Sequence, residues 1–201
     1  MKMEERVDRA ARSWRAPTAR DSRRVGLRQS AGYVDGVTSS AKAAQAWADE
    51  LRGRLDELLD EYRASLQATL DGLTEQQARR KLVPSNTTLL GLLKHVTYVE
   101  GVWFDQALTG RSYREIGIAS TPDRSFRLTT SDTIESVRAA HQDRCALSRR
   151  ALASLALGDV VDGRGQRSVW ALYVQVLREL AQHAGHADIL REQVLADPNG
   201  S

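Results

Sequence analysis

With 201 residues, 41% of them hydrophobic and 27% charged, the chain is long enough for one domain with a proper core and too apolar to be wholly disordered. Cys145 is the sole cysteine, which excludes an internal disulfide or a cysteine-rich zinc module. The net charge of +3 is uneven: residues 1–40 hold nine Lys/Arg against five Asp/Glu, a net of +4, which leaves about −1 for the remainder and no basic surface of the kind a nucleic-acid-binding domain carries.

Residues 1–40 lack sustained apolar periodicity and scatter Pro17, Gly26, Gly32 and Gly36 among arginines. They are expected to form a largely disordered basic extension, with at most a short helix around Glu4–Trp14. The domain proper is expected over residues 41–197. No apolar h-region occurs in residues 1–40 and no apolar run of membrane length follows, so a cytoplasmic protein without membrane contact is expected.

From Ala41, the residues Leu51, Leu55, Leu58, Tyr62, Leu66 and Leu70 recur at spacings of three and four, the pattern of an amphipathic helix that stops at Asp71-Gly72. Thr74 and Gln77 have the spacing of a capping box for a short helix through Arg80. Pro84 and Ser85 break the chain, and Asn86 or Thr87 is placed to cap a helix from about Leu89 to Leu108, with Leu89, Leu92, Val96, Val99 and Trp103 inward and Gly110 closing it. Residues 110–130 form a long connection rich in Gly, Ser, Thr and Arg. Ser131 or Asp132 caps a third long helix, with Ile134, Val137, His141, Leu147, Leu152 and Leu155 on its buried side. A loop from Gly158 to Gln166 leads to a fourth, about Ser168–Leu195. No segment alternates with period two. Four long helices and one extended crossing loop predict an all-α fold, a four-helix bundle.

The fourth helix carries Glu179, His183 and His186 at i, i+4 and i+7, within one arc of a helix turning about 100° per residue. His183 falls near the centre of the stripe made by Val176, Leu180, Ala187, Leu190 and Val194. His95, bordering the arc of Leu92, Val99 and Val102 on the second long helix, can look across the bundle toward it. Two neutral imidazoles and a carboxylate suit a divalent metal and leave positions open for water or substrate, the catalytic rather than the structural pattern. By spacing alone, histidines with ordinary hydrogen bonds fit these positions as well. Gly185 is an unfavourable residue inside a helix unless a close approach or a pocket requires it.

The stretch Leu82-Val83-Pro84-Ser85-Asn86-Thr87-Thr88-Leu89-Leu90-Gly91-Leu92-Leu93-Lys94-His95-Val96 resembles the second helix of the DinB superfamily. More closely it is similar to the branch called mini-circle protein, a family of unknown function. Val102-Trp103-Phe104 and Glu179…His183-Ala184-Gly185-His186-Ala187-Asp188-Ile189-Leu190-Arg191-Glu192 fit the same branch, so the resemblance spans about residues 45–195. It implies a DinB-like four-helix bundle with a long crossover loop, a divalent metal (zinc or nickel), and in many members a homodimer. Mycothiol-dependent maleylpyruvate isomerase is similar in having Glu as one ligand of the last helix. That pattern maps onto His95, Glu179 and His183 as metal ligands, where other DinB-like proteins have His at the position of Glu179. His186 then serves as an outer donor or a catalytic proton shuttle.

The function so implied is a metal-dependent transferase or isomerase in which a low-molecular-weight thiol, mycothiol or bacillithiol, is activated as a metal-bound thiolate and attacks a small-molecule electrophile. A metal-dependent hydrolase and a non-catalytic metal-binding stress-response bundle are the alternatives. His141 reads either as an accessory acid/base or as a locally satisfied core histidine, and Cys145 as a packing residue. Arg191 reads either as a partner for an anionic substrate group or as a solvated arginine.

Overall fold

The computed structural model describes residues 32–197, with side chains from Ser40 onward. Residues 1–31 of the expected extension lie outside the described residues; residues 32–40 belong to the first helix. The chain divides into two units, 1–43 and 44–201. The described part of the first unit is helix, and the second contains the bundle.

Helix α1 spans Gly32–Ala68 and unwinds into a turn where Gly72 takes the left-handed conformation (φ 72°). Helix α2, Glu75–Ala78, starts at a reciprocal cap in which Thr74 and Gln77 each satisfy the other's backbone N–H. Helix α3, Leu89–Gly101, is capped by Thr88, whose hydroxyl accepts from the Gly91 N–H at 3.0 Å. The cap therefore falls on Thr88 and not on Asn86 or Thr87. A π-helical turn, Val102–Gln106, carries α3 into the last turn α4, Ala107–Thr109, and Gly110 closes it at φ 71°. The crossover connection contains two single-turn helices, α5 (Tyr113–Ile116) and α6 (Pro122–Ser125). Helix α7, Ile134–Leu152, is capped by Thr133 paired with Ser136, in place of Ser131 or Asp132. A two-residue antiparallel pair, β1 (Val160–Val161) with β2 (Arg167–Ser168), precedes α8, Val169–Ala196. The chain is thus an all-α, DinB-like fold with one minimal strand pair that its local pattern does not announce.

One core joins the long helices through Leu55, Leu59, Leu66 and Leu70 of the first segment, Leu89, Leu92, Leu93 and Val96 of α3, Val137 and Leu152 of α7, and Leu172, Tyr173, Val176 and Leu180 of α8. Leu59, at 1% exposure, is buried more deeply than Leu58 beside it. Leu147 turns outward at 45% exposure, against expectation, because α7 spends its buried face on Arg144, Cys145 and Ser148.

Two contacts set the path of the crossover. A Cβ on Gly91 would sit 2.9 Å from the Phe126 carbonyl oxygen, and one on Gly101 would sit 2.8 Å from Ile118. Only glycine lets the connection lie this close to α3. Arginines tie off two helix ends: Arg52 donates to the carbonyls of Leu152 and Leu155, and Arg191 to those of Thr69 and Asp71. Arg191 therefore caps the α1 terminus. Among the described residues, no helix is long and apolar enough to cross a membrane.

Candidate metal centre

His95 on α3 and Glu179 and His183 on α8 bring one donor atom each to within 4.8 Å of one another. Both imidazoles are buried and the carboxylate is half-buried. The His95 and His183 rings meet edge to face with centroids 4.7 Å apart, so the two helices face each other across a single point.

Burial decides the charge of these rings. Desolvation, with His183 nearby, pushes His95 down to about 3; desolvation, with His186 nearby, pushes His183 down to about 4. Both are neutral at physiological pH, the form in which imidazole coordinates a metal. It follows that the 3.7 Å approach of His183 Nε2 to Glu179 Oε2 is no salt bridge, and it is too long for a hydrogen bond.

The donors are held from behind. The Glu179 Oε1 atom accepts from Gln175 Nε2 at 3.0 Å and from Arg178 at 2.7 Å, which leaves Oε2 as the oxygen nearer His183. His95 Nδ1 lies 2.7 Å from the Ser125 hydroxyl, and the Phe126 ring stacks on the imidazole with centroids 3.9 Å apart and planes 12° from parallel. His183 Nδ1 is buried with no hydrogen-bond partner. Such an unsatisfied atom costs about 1–3 kcal/mol, a cost that coordination of an ion by this ring would offset. Neutral imidazoles, one anionic oxygen and an orphaned buried nitrogen fit a divalent cation at this place.

His186, the expected proton shuttle, stands outside the cluster. It is exposed, with its ring 5.6 Å from that of His183, and it lines a cavity of about 320 Å³ together with Val83, Ser85, Thr87, Ile189, Leu190 and Gln193. Gly185 has nothing within 4 Å of where a Cβ would lie and does not line that cavity, so neither a close approach nor the pocket explains it.

A second cluster of donors, Glu100, His141 and Cys145, lies fully buried between α1, α3 and α7. It does not fit a metal. The Arg63 guanidinium already occupies both oxygens of Glu100, at 2.6 and 2.9 Å. Burial opposes the charge of Arg63, but Glu100 outweighs it and holds the guanidinium firmly protonated. Burial, reinforced by Glu100, pushes the Cys145 thiol up to about 12, so it is neither a thiolate ligand nor a nucleophile. Burial likewise lowers His141 to about 4, and its Nδ1 pairs with Gln67 at 2.9 Å. Of the two readings of His141, the satisfied core histidine matches this environment.

Ser125 and Phe126 sit in the crossover, thirty residues beyond His95, and no periodic pattern marks them. The signals available were Thr121-Pro122, which starts a helical turn with Ser125 at its end, and Gly91, a glycine in the first turn of an apolar helix.

Residues 54–196 match the family model described as mycothiol-S-transferase, a DinB-like family. No curated protein matches the chain.

Proposed function

Since the chain belongs to the mycothiol-S-transferase family, we propose that it is a divalent-metal-dependent transferase that joins the thiol of mycothiol, or of bacillithiol, to a small-molecule electrophile. His95, Glu179 and His183 hold the metal, zinc or nickel. The observation that carries this reading is the meeting of donors from α3 and α8 in one buried cluster of neutral imidazoles and a carboxylate.

A bound divalent cation supplies the positive charge that lowers the pKa of a thiol brought to it. The protein's own residues do the rest. Phe126 and the packed rings of His95 and His183 exclude water from one side of the cluster. The cavity beside His186, walled by Val83, Ile189 and Leu190, takes the apolar part of the electrophile. His186 removes the thiol proton. The sulfur forms a bond to the electrophilic carbon while a halide leaves with its electron pair, or an epoxide C–O bond breaks and His186 returns the proton to the alkoxide.

The test combines elemental analysis of tag-free protein with conjugation of a chromogenic electrophile in the presence of mycothiol, of bacillithiol, or of no thiol. One divalent ion per chain and strictly thiol-dependent product are expected. Turnover without thiol would replace the proposal with a hydrolase, and bound metal with no turnover under either thiol would leave a metal-binding bundle.

A further inference from the structure

The Ser125 hydroxyl has one proton and two oxygen or nitrogen neighbours. It donates to the Pro122 carbonyl, which can only accept. Its proton thus spent, the hydroxyl must accept at its 2.7 Å contact with His95 Nδ1, so the proton in that contact belongs to the imidazole. A neutral imidazole, the form that binds a metal, carries a single ring proton. Placing it on Nδ1 leaves Nε2 with a bare lone pair.

From this we infer that Ser125 is a positioning residue which fixes His95 as its Nδ1–H tautomer, with Nε2 the nitrogen reserved for a ligand. The next residue completes the device: Phe126 stacks on the ring and fixes its plane. Ser125 is 1% exposed, so no water competes for the contact. The loop can hold both residues there because Gly91, one turn before His95, leaves room for the Phe126 carbonyl. Thr121 caps the turn that presents Ser125, with its side chain accepting from the Arg124 N–H. The crossover thus determines which nitrogen of an α3 histidine is available, although it contributes no donor to the cluster itself.

The consequence for metal binding rests on the reading of His95 as a ligand; the tautomer does not. An imidazole held in the correct tautomer needs no rearrangement to coordinate, and loss of such an outer partner typically weakens metal affinity by about 10–100-fold.

The experiment has two arms on the full-length protein. Nitrogen NMR of ¹⁵N-histidine-labelled protein after chelation reads the His95 tautomer directly. A protonated Nδ1 and unprotonated Nε2 are expected in the wild type, and a mixture of tautomers in Ser125→Ala. Finding the proton on Nε2 in the wild type overturns the inference without recourse to any variant. Zinc titration with a competing chromophoric chelator forms the second arm. Ser125→Ala is expected to bind zinc about 10–100-fold more weakly, and an unchanged affinity in that variant counts against the positioning role. If the wild type itself takes up no zinc, the proposed function fails, while the NMR arm still decides the role of Ser125.

Discussion

Replacing Arg63 by Ala should destabilise the protein by about 3–5 kcal/mol, the usual cost of stripping one partner from a buried ion pair. The size follows from the surroundings. Glu100 is fully buried on α3, and Arg63 meets both of its oxygens from α1 at 2.6 and 2.9 Å. The thiol of Cys145, at 3.7 Å from Oε1, is too weak and too distant a donor to replace a guanidinium. Without Arg63, Glu100 is left as a buried carboxylate with no cationic partner. The arginine's third contact, NH1 to Asp60 at 2.8 Å, adds little because half of the Asp60 side chain is exposed to solvent and Arg149 also binds it. Urea unfolding at pH 7.5 measures the loss directly; a melting shift of roughly 6–20 °C corresponds to it in a domain of this size. The double variant Arg63→Met/Glu100→Leu should recover most of the stability, because apolar side chains of similar volume carry no desolvation penalty. A loss below about 1 kcal/mol, or a double variant as weak as the sum of its parts, would show that the pair is not the buried tie described.

Three further outcomes are expected. His95→Ala should lower metal affinity by more than about 100-fold, beyond the usual cost of an outer partner; elemental analysis and chelator competition read it, and full metal content in this variant would remove the cross-bundle ligand. Gly91→Ala should cost about 1–3 kcal/mol despite the better helix former, since its Cβ would meet the Phe126 carbonyl at 2.9 Å, whereas Gly185→Ala, with open space around it, should gain up to about 1 kcal/mol. Paired denaturation curves test the contrast, which equal effects would refute. Stability of the metal-free protein should fall on acidification: His95, His141 and His183 have folded pKa values of about 3, 4 and 4 against 6.5 when exposed, so their contribution is intact above pH 6.5 and is lost as pH falls toward 4. At pH 5 each accounts for about 2 kcal/mol, and a flat stability between pH 7.5 and 5 would contradict their burial.

The long helices were legible in the chain because helix formation and the burial of one stripe are governed by neighbours three and four residues away. The same local rule placed Glu179 and His183 one turn apart, and the expected inward face of α3 put His95 opposite them. Prediction was weakest where several adjacent residues could serve equally: Thr88 and Thr133 rather than their neighbours cap the helices, and Leu147 yields its inward place to Cys145 and Ser148.

What tertiary structure alone decided lies in contacts between segments far apart in the chain. The pairing of Arg63 with Glu100 spans 37 residues, and that of His95 with Ser125 spans 30. No periodicity encodes either, because each depends on where a neighbouring helix or the crossover comes to rest. The sequence supplies an imidazole on a helix face. Only the folded loop, seated against Gly91, selects the ring nitrogen left open, since a tautomer is chosen by the one hydrogen-bond partner that packing brings within reach.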